Sequence, residues 1–272
     1  PKAVLENYLD SIGDKTLWID LKCRQLRTTG EAIVPQEYLE VSHDISVDTP
    51  AEMWYNDGRD FATIVDVIDG NKLKVMPPPG FEVKFGKGAS INIIEPSLEI
   101  DGFLTEKDKR YVLAAKELGI HDYMLSYVEK SEDIEEILRL DPDANIVAKI
   151  ESKGGLDFAQ GDYKNYHPNV RLMAARGDLY LEVNRPHEIL WATKEIVDAD
   201  TNAIAASRIL CSTRNADQIP KCSEMGDVGY LLLSGYRTFM LGDDICYKKY
   251  SLDAALGILS AIARDFESLV NR

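Results

Sequence analysis

Two short apolar runs restrict the folds open to this chain more than any other feature. Ala144 to Leu156 reads ANIVAKIESKGGL, and Leu172 to Leu179 reads LMAARGDL. Each is apolar until near its carboxyl end, where Lys149 and Glu151 interrupt the first and Arg176 and Asp178 the second. A strand that is apolar on both faces is one covered by helices on both sides, as in a parallel sheet. Polar groups confined to its tip imply that the tip opens onto a site.

The order of elements agrees with a parallel sheet. Val4 to Lys15 places Val4, Leu5, Tyr8, Leu9 and Ile12 at helical spacing, and Thr16 to Leu21 reads as a strand with Asp20 near its end. From Thr28 to Pro96 the texture changes to short alternating segments, Tyr38 to Ser42, Phe61 to Ile68 and Lys72 to Met76. The turn signals Asn56-Asp57-Gly58 and Asp69-Gly70-Asn71 separate them, and Pro77 to Gly80 marks a corner. This predicts a small all-β insert over 28–96, between barrel segments 1–27 and 97–272.

After Pro96 helix and strand alternate to the end. Thr105 and Asp108 predict a capped helix reaching Leu118, and Ser131 a second one reaching Leu140. Strands are expected at Tyr123 to Val128, Ile146 to Ile150, Leu172 to Ala175, Arg208 to Cys211 and Thr238 to Leu241. Helices are expected at Pro186 to Ala203, Glu224 to Leu233 and from Ser251 onward. That makes six parallel strands with helices outside, two short of a closed (β/α) barrel.

Composition excludes several functions. With 31 Lys and Arg against 46 Asp and Glu, the net charge of -15 disfavours nucleic acid and anionic membranes as partners. No apolar run approaches the roughly 18 to 20 residues of a membrane span, and the opening PKAVLENYLD lacks a signal-peptide layout, so a cytoplasmic protein is expected. The four scattered cysteines have no C-x-x-C spacing and read as reduced thiols.

The polar residues expected at the strand ends are Asp20, Ser126, Lys149 with Glu151, Arg176 with Asp178, Ser212 with Thr213, and Asp243 with Asp244. In a parallel barrel these ends converge on one mouth. Glu151 and Asp178, on successive strands, are hard oxygen donors suited to one Mg²⁺, and Lys149 points the same way along its strand. A cation and a metal together favour chemistry in which negative charge grows on an enolate or carbonyl oxygen. Standing alone, a Lys-x-Glu at a strand end reads equally well as a surface ion pair.

The second motif decides between these readings. NIVAKIESKGGL resembles the active-site strand of pyruvate kinases, departing at Gly154, and Leu172 to Leu179 resembles the family's M-V-A-R-G-D-L-G, with Tyr180 in place of the last glycine. Ile209 to Thr213 is similar to V-I-C-A-T-Q, with Arg214 in place of the glutamine, and Ser223 to Val228 to A-E-V-S-D-V. Phe239-Met240-Leu241 is similar to V-M-L, and M-L-S-G-E-T-A is reduced to Met240 through Cys246. Upstream, Leu17 to Lys22 and Arg27 are similar to A-L-D-T-K-G-P-E-I-R, although Cys23 to Leu26 depart from it. Asn56-Asp57-Gly58 and Lys87 to Asn92 resemble the family's lid motifs.

The resemblance implies a (β/α) TIM-type barrel of the phosphoenolpyruvate/pyruvate superfamily, with an all-β lid. It implies phosphoryl transfer between phosphoenolpyruvate and ADP through an enolate of pyruvate, with Mg²⁺ or Mn²⁺ held by Glu151 and Asp178. Lys149 and Thr213 would be catalytic, and the backbone amides around Ala175, Gly177 and Asp178, with Thr213, would receive the substrate carboxylate. Asp20 and the carbonyl of Leu21 would contribute to a K⁺ site, and Lys87 would approach nucleotide phosphates. The family's R-x-N-x-S-H-G run, which supplies a phosphoryl-binding arginine, does not occur between Pro1 and Arg272. The expectation is therefore a barrel lacking its first two units and the C-terminal regulatory domain, with a homo-oligomer or a second chain as ways to complete it. A Mg²⁺-dependent lyase or aldolase acting on pyruvate or a 2-oxo acid, and a non-catalytic binding protein, are the alternatives.

Overall fold

The computed structural model describes residues 1–215 and 219–270. Two compact units divide the chain, Pro1–Ile146 and Val147–Arg272.

The first unit opens with α1 (Lys2–Ile12) and β1 (Ile19–Leu21). The all-β segment follows, with β2 (Ala32–Val34), β3 (Leu39–Glu40), β4 (Ile45–Ser46), β5 (Ala51–Tyr55), β6 (Asp60–Ile68), β7 (Lys72–Met76), β8 (Val83–Phe85), β9 (Asn92–Ile93) and β10 (Glu99–Ile100). Five of these strands form one antiparallel sheet in the order β3-β7-β6-β5-β9. Asn56, Asp57 and Gly58 turn β5 into β6, and Asp69 with Gly70 turns β6 into β7, all at positive φ. Those are the conformations that Asn, Asp and Gly adopt at least cost. Alternation in β5 buries Ala51, Met53 and Tyr55, which join Val34, Leu39, Ile64, Leu73 and Phe85 in a core belonging to this segment.

The rest of the first unit is α2 (Glu106–Glu117), β11 (Asp122–Leu125), α3 (Ser131–Leu140) and the start of β12 (Asn145–Ile150). β1 pairs in parallel with β11, Asp20 opposite Met124. The predicted cap of α2 is present: Thr105 Oγ1 accepts the Asp108 amide at 3.1 Å and Asp108 accepts the Thr105 amide at 3.0 Å. Asp108 also receives the amides of Lys22 and Cys23, so the cap fixes the exit of β1. At α3 the expected cap differs. Ser131 is the first helical residue, and the Asp133 carboxylate accepts the Glu129 and Lys130 amides at 2.9 and 3.2 Å. The Asp133 side chain is 1% exposed and also holds Arg24 in a two-pronged pair at 2.9 and 2.5 Å. Two charges buried this deeply are tolerated because each satisfies the other's donors or acceptors.

Between α3 and β12, Asp141 accepts the Tyr123 hydroxyl at 2.9 Å and lies 2.8 Å from His121 Nδ1, with Asp143 nearby. Those contacts, with the Asp143 amide on Asp141, secure the loop. His43 is buried in the same unit, its Nε2 without a hydrogen-bond partner. Burial lowers its pKa, against smaller opposing effects of the Phe103 backbone, Asp108 and Asp101. The unfolded chain then takes up a proton at a higher pH than the folded one, so stability is full above about pH 6.5 and declines as pH falls through that value. Comparing melting temperatures of wild type and His43→Gln between pH 7.5 and 5.5 checks this: the wild type is expected to lose more. Equal losses would assign the acid sensitivity to other groups.

The second unit continues with α4 (Lys153–Gln160), β13 (Val170–Ala175), α5 (Arg176–Glu182), α6 (Glu188–Ala199), β14 (Ile204–Ala206), α7 (Cys222–Ser234), β15 (Thr238–Met240), α8 (Asp243–Cys246) and α9 (Lys249–Val270). The strands β12, β13, β14 and β15 lie side by side in chain order. β14 pairs in parallel with both neighbours, Ala206 opposite Ala175 on one side and Met240 on the other. Six parallel strands are thus present among the described residues. One is displaced: the strand expected at Arg208 to Cys211 lies at Ile204–Ala206. All four cysteines are free.

Candidate active site

β12 is apolar because it is covered on both faces: Ile146, Val147, Ala148 and Ile150 are each fully buried. Its tip carries the polar residues. Lys149 Nζ lies 3.6 Å from Glu151 Oε1, with the two side chains 10% and 4% exposed. Ser152 then starts α4, its hydroxyl accepting the Gly155 amide at 3.1 Å. A buried ion pair at that separation is looser than a charge-assisted hydrogen bond of about 2.7–2.9 Å. Burying two charges costs several kcal/mol per ion, so an ion pair at this depth is weak evidence for a purely stabilising role.

β13 ends at Ala175 and runs directly into α5, whose first turn carries Arg176, Gly177 and Asp178. Asp178 is half-buried. Arg176 is a structural clamp. Its Nη1 and Nη2 grip the Asp227 carboxylate at 2.6 and 2.9 Å, while Nη2 also donates to the Ser207 carbonyl at 2.9 Å and Nε to the Ala206 carbonyl at 3.3 Å. The register that sets Ala175 opposite Ala206 brings the next residues of both strands together. A Cβ on Gly177 would meet the Cβ and Oγ of Ser207 at 3.4 Å, an ordinary contact that shows how close the two tips lie.

The displaced β14 changes which hydroxyl stands at the strand end. Ser207 is the first residue past β14, whereas Thr213 lies in a 3₁₀ turn, Cys211–Arg214. Thr213 is 4% exposed and its hydroxyl donates to the Leu210 carbonyl at 2.8 Å, so it is engaged within its own turn. The sequence signal for Ser207 was present but faint: Ala203-Ile204-Ala205-Ala206 is apolar, yet alanine is a poor strand former and Ile209-Leu210 beside it is more apolar.

Asp20 and Leu21 lie on β1 in the first unit. The Leu21 carbonyl accepts both the amide and the hydroxyl of Ser126, at 3.2 and 3.0 Å, and the Lys22 ammonium pairs with Asp20. The Leu21 carbonyl therefore has two protein donors, and Asp20 is about half exposed in its pair with Lys22. Lys87 is exposed in the turn after β8. In the same segment a cavity of about 450 Å³ is lined by Arg27, Tyr55, Asn56, Asp57, Lys84 and Ser90, and the Ser90 hydroxyl is buried without a partner. The donor set of Glu151 and Asp178 does fit Mg²⁺ or Mn²⁺: two carboxylates at neighbouring strand tips are what such ions take from a protein when water and substrate complete the shell.

Parallel strands alternating with helices, with an acid, a base and a second acid at adjacent tips, define an α/β enzyme-type scaffold. The family model described as "Pyruvate kinase, barrel domain" matches residues 12–255. This chain belongs to the pyruvate kinase family. Among similar proteins, "Pyruvate kinase" of Naumovozyma castellii is 28% identical over 212 residues, covering 74% of this chain and 40% of that protein. "Pyruvate kinase 1" of Candida glabrata is 28% identical over 228 residues, covering 80% and 44%. "Pyruvate kinase" of Kluyveromyces lactis is 26% identical over 259 residues, covering 92% and 46%. The chain spans less than half the length of these curated relatives. No helix among the described residues is long and apolar enough to cross a membrane.

Proposed function

We propose that this chain is a pyruvate kinase-like phosphotransferase, moving a phosphoryl group between phosphoenolpyruvate and ADP. The observation that carries the reading is the buried Lys149 and Glu151 pair at the tip of β12, with Asp178 at the neighbouring tip. When the phosphoryl group leaves, its bridging electrons stay on the enolate oxygen, and a proton added at the methylene carbon gives pyruvate. Lys149 is the cation assigned to that oxygen, because a desolvated ammonium stabilises growing negative charge more than charge already present. Glu151 and Asp178 would hold Mg²⁺ or Mn²⁺, which would supply further positive charge against the negative charge that grows in the reaction. The amides around Ala175, Gly177 and Asp178 receive the substrate carboxylate in this reading, and Ser207 replaces Thr213 as the hydroxyl beside them. Lys87 is proposed as a nucleotide-phosphate contact. Phosphoenolpyruvate, pyruvate, ADP and ATP are accordingly its proposed partners, and the cytoplasm its proposed location.

Enolate chemistry can be measured without nucleotide. Pyruvate incubated with protein and Mg²⁺ in D₂O should lose its methyl proton signal by exchange, and Lys149→Met should slow this about a hundredfold, the effect of removing one oxyanion donor. Equal exchange in the two proteins would sink the assignment of Lys149. Exchange without phosphoryl transfer from phosphoenolpyruvate to ADP would reduce the reading to its enolate half.

A further inference from the structure

The turn leaving β14 carries backbone strain, and past Ser207 its residues have no part in the proposed chemistry. Ser207, Arg208 and Leu210 have φ of 68, 59 and 50°. Each left-handed residue with a Cβ costs roughly 1–2 kcal/mol, and such strain persists only where the surroundings over-determine it. Here Arg176 does so, by holding the Ala206 and Ser207 carbonyls. The result is that the Arg208 guanidinium carbon lies 4.9 Å from the centre of the Tyr180 ring. Arg208 is exposed, and among the described residues no carboxylate pairs with it.

Arg208, Tyr180, Arg176, Ser223, Glu224 and Asp227 line a cavity of about 260 Å³. Its other charges are occupied. Asp227 takes both prongs of Arg176. Glu224 accepts the Ser212 amide at 2.8 Å, the Lys221 amide at 3.0 Å and the Ser212 hydroxyl. Burial pushes the Glu224 carboxyl up, but those donors outweigh it and hold the group below the ordinary carboxylate range. The guanidinium of Arg208 is left as the uncommitted charge on the wall. Held over a ring, the guanidinium keeps the paired N–H groups whose geometry matches two phosphate oxygens.

We propose that this cavity is a phosphate subsite, in which Arg208 is the forked donor and Tyr180 the platform that fixes it. The ligand is a phosphate dianion, free or at the end of a nucleotide. The subsite involves neither Glu151 nor Lys149, so it stands or falls apart from the metal and enolate assignments.

The test is a ³¹P NMR titration of the full chain with inorganic phosphate, with chelator present and no divalent ion. Saturable binding is expected, at least about tenfold weaker in Arg208→Asn, the loss of a charge-assisted donor pair. Asparagine keeps the left-handed backbone accessible, so the turn survives the change. Arg208→Lys should fall between the two, since it retains the charge and loses the fork and the stack. Repeating the titration with ADP separates the sources: tighter binding of ADP, weakened equally by Arg208→Asn, assigns the subsite to a nucleotide, and no gain over phosphate assigns it to the free ion. Absence of saturable phosphate binding by the wild type overturns the proposal, and so does equal affinity in wild type and Arg208→Asn with both folded by thermal melting.

Discussion

Replacing Glu151 by Gln is expected to weaken Mn²⁺ binding by more than about a hundredfold. The substitution keeps shape and hydrogen-bonding capacity and removes one negative charge, so the loss reports ligation. Even groups one shell out from a metal cost roughly 10–100-fold when changed, which sets the lower bound for a direct ligand. Folding is affected as well. Glu151 is 3% exposed beside Lys149, and removing its charge leaves a buried ammonium without that partner, a loss of about 3–5 kcal/mol where a buried pair is broken. The melting temperature of the variant is therefore expected to fall, and affinity is compared at a temperature where both proteins are folded. Electron paramagnetic resonance of free Mn²⁺ during titration measures the first quantity. Unchanged affinity in the folded variant would remove Glu151 from the metal site.

Arg176→Met is expected to cost about 3 kcal/mol of stability. Arg176 is nearly buried and donates to three acceptors, the Asp227 carboxylate and the Ala206 and Ser207 carbonyls. Removing a partner from a buried ion pair costs about 3–5 kcal/mol, and the 32% exposure of Asp227 reduces that because water can reach the stranded carboxylate. The two carbonyls add about 1 kcal/mol each, since each loses a donor where the tips of β13 and β14 meet. Methionine fills similar volume, which keeps packing loss out of the measurement. A urea midpoint series with the Asp227→Leu cycle isolates the pair: the double variant should be less destabilised than the sum of the single ones. A loss under 0.5 kcal/mol, the ordinary range for surface changes, would remove Arg176 from its role as the clamp that shapes the Ser207 turn.

Much of this molecule was legible in the order of residues. β12 and β13 were found because a strand buried on both faces is apolar along its length, and their tips because ionisable groups interrupt it. The cap at Thr105 was readable because the hydroxyl and Asp108 three residues on are local partners. β14 was not. Three residues of Ile204–Ala206 carry little strand preference, and their pairing comes from Met173 to Ala175 and Thr238 to Met240 on either side. The same shift moved the strand-end hydroxyl from Thr213 to Ser207. β5 was also missed, since Ala51-Glu52-Met53 is not a strong strand former and alternates only once its sheet buries one side.

The sequence by itself determined the family, the parallel α/β plan and the carboxylates and lysine of the candidate site, because those depend on residue type and short-range spacing. Only the tertiary structure decided which groups have protein partners: the Leu21 carbonyl with Ser126, Asp20 with Lys22 and Asp227 with Arg176. It also decided that Arg208 remains uncommitted over Tyr180. Whether a charge is available for a ligand depends on what lies within about 3–4 Å of it, and those neighbours come from distant parts of the chain.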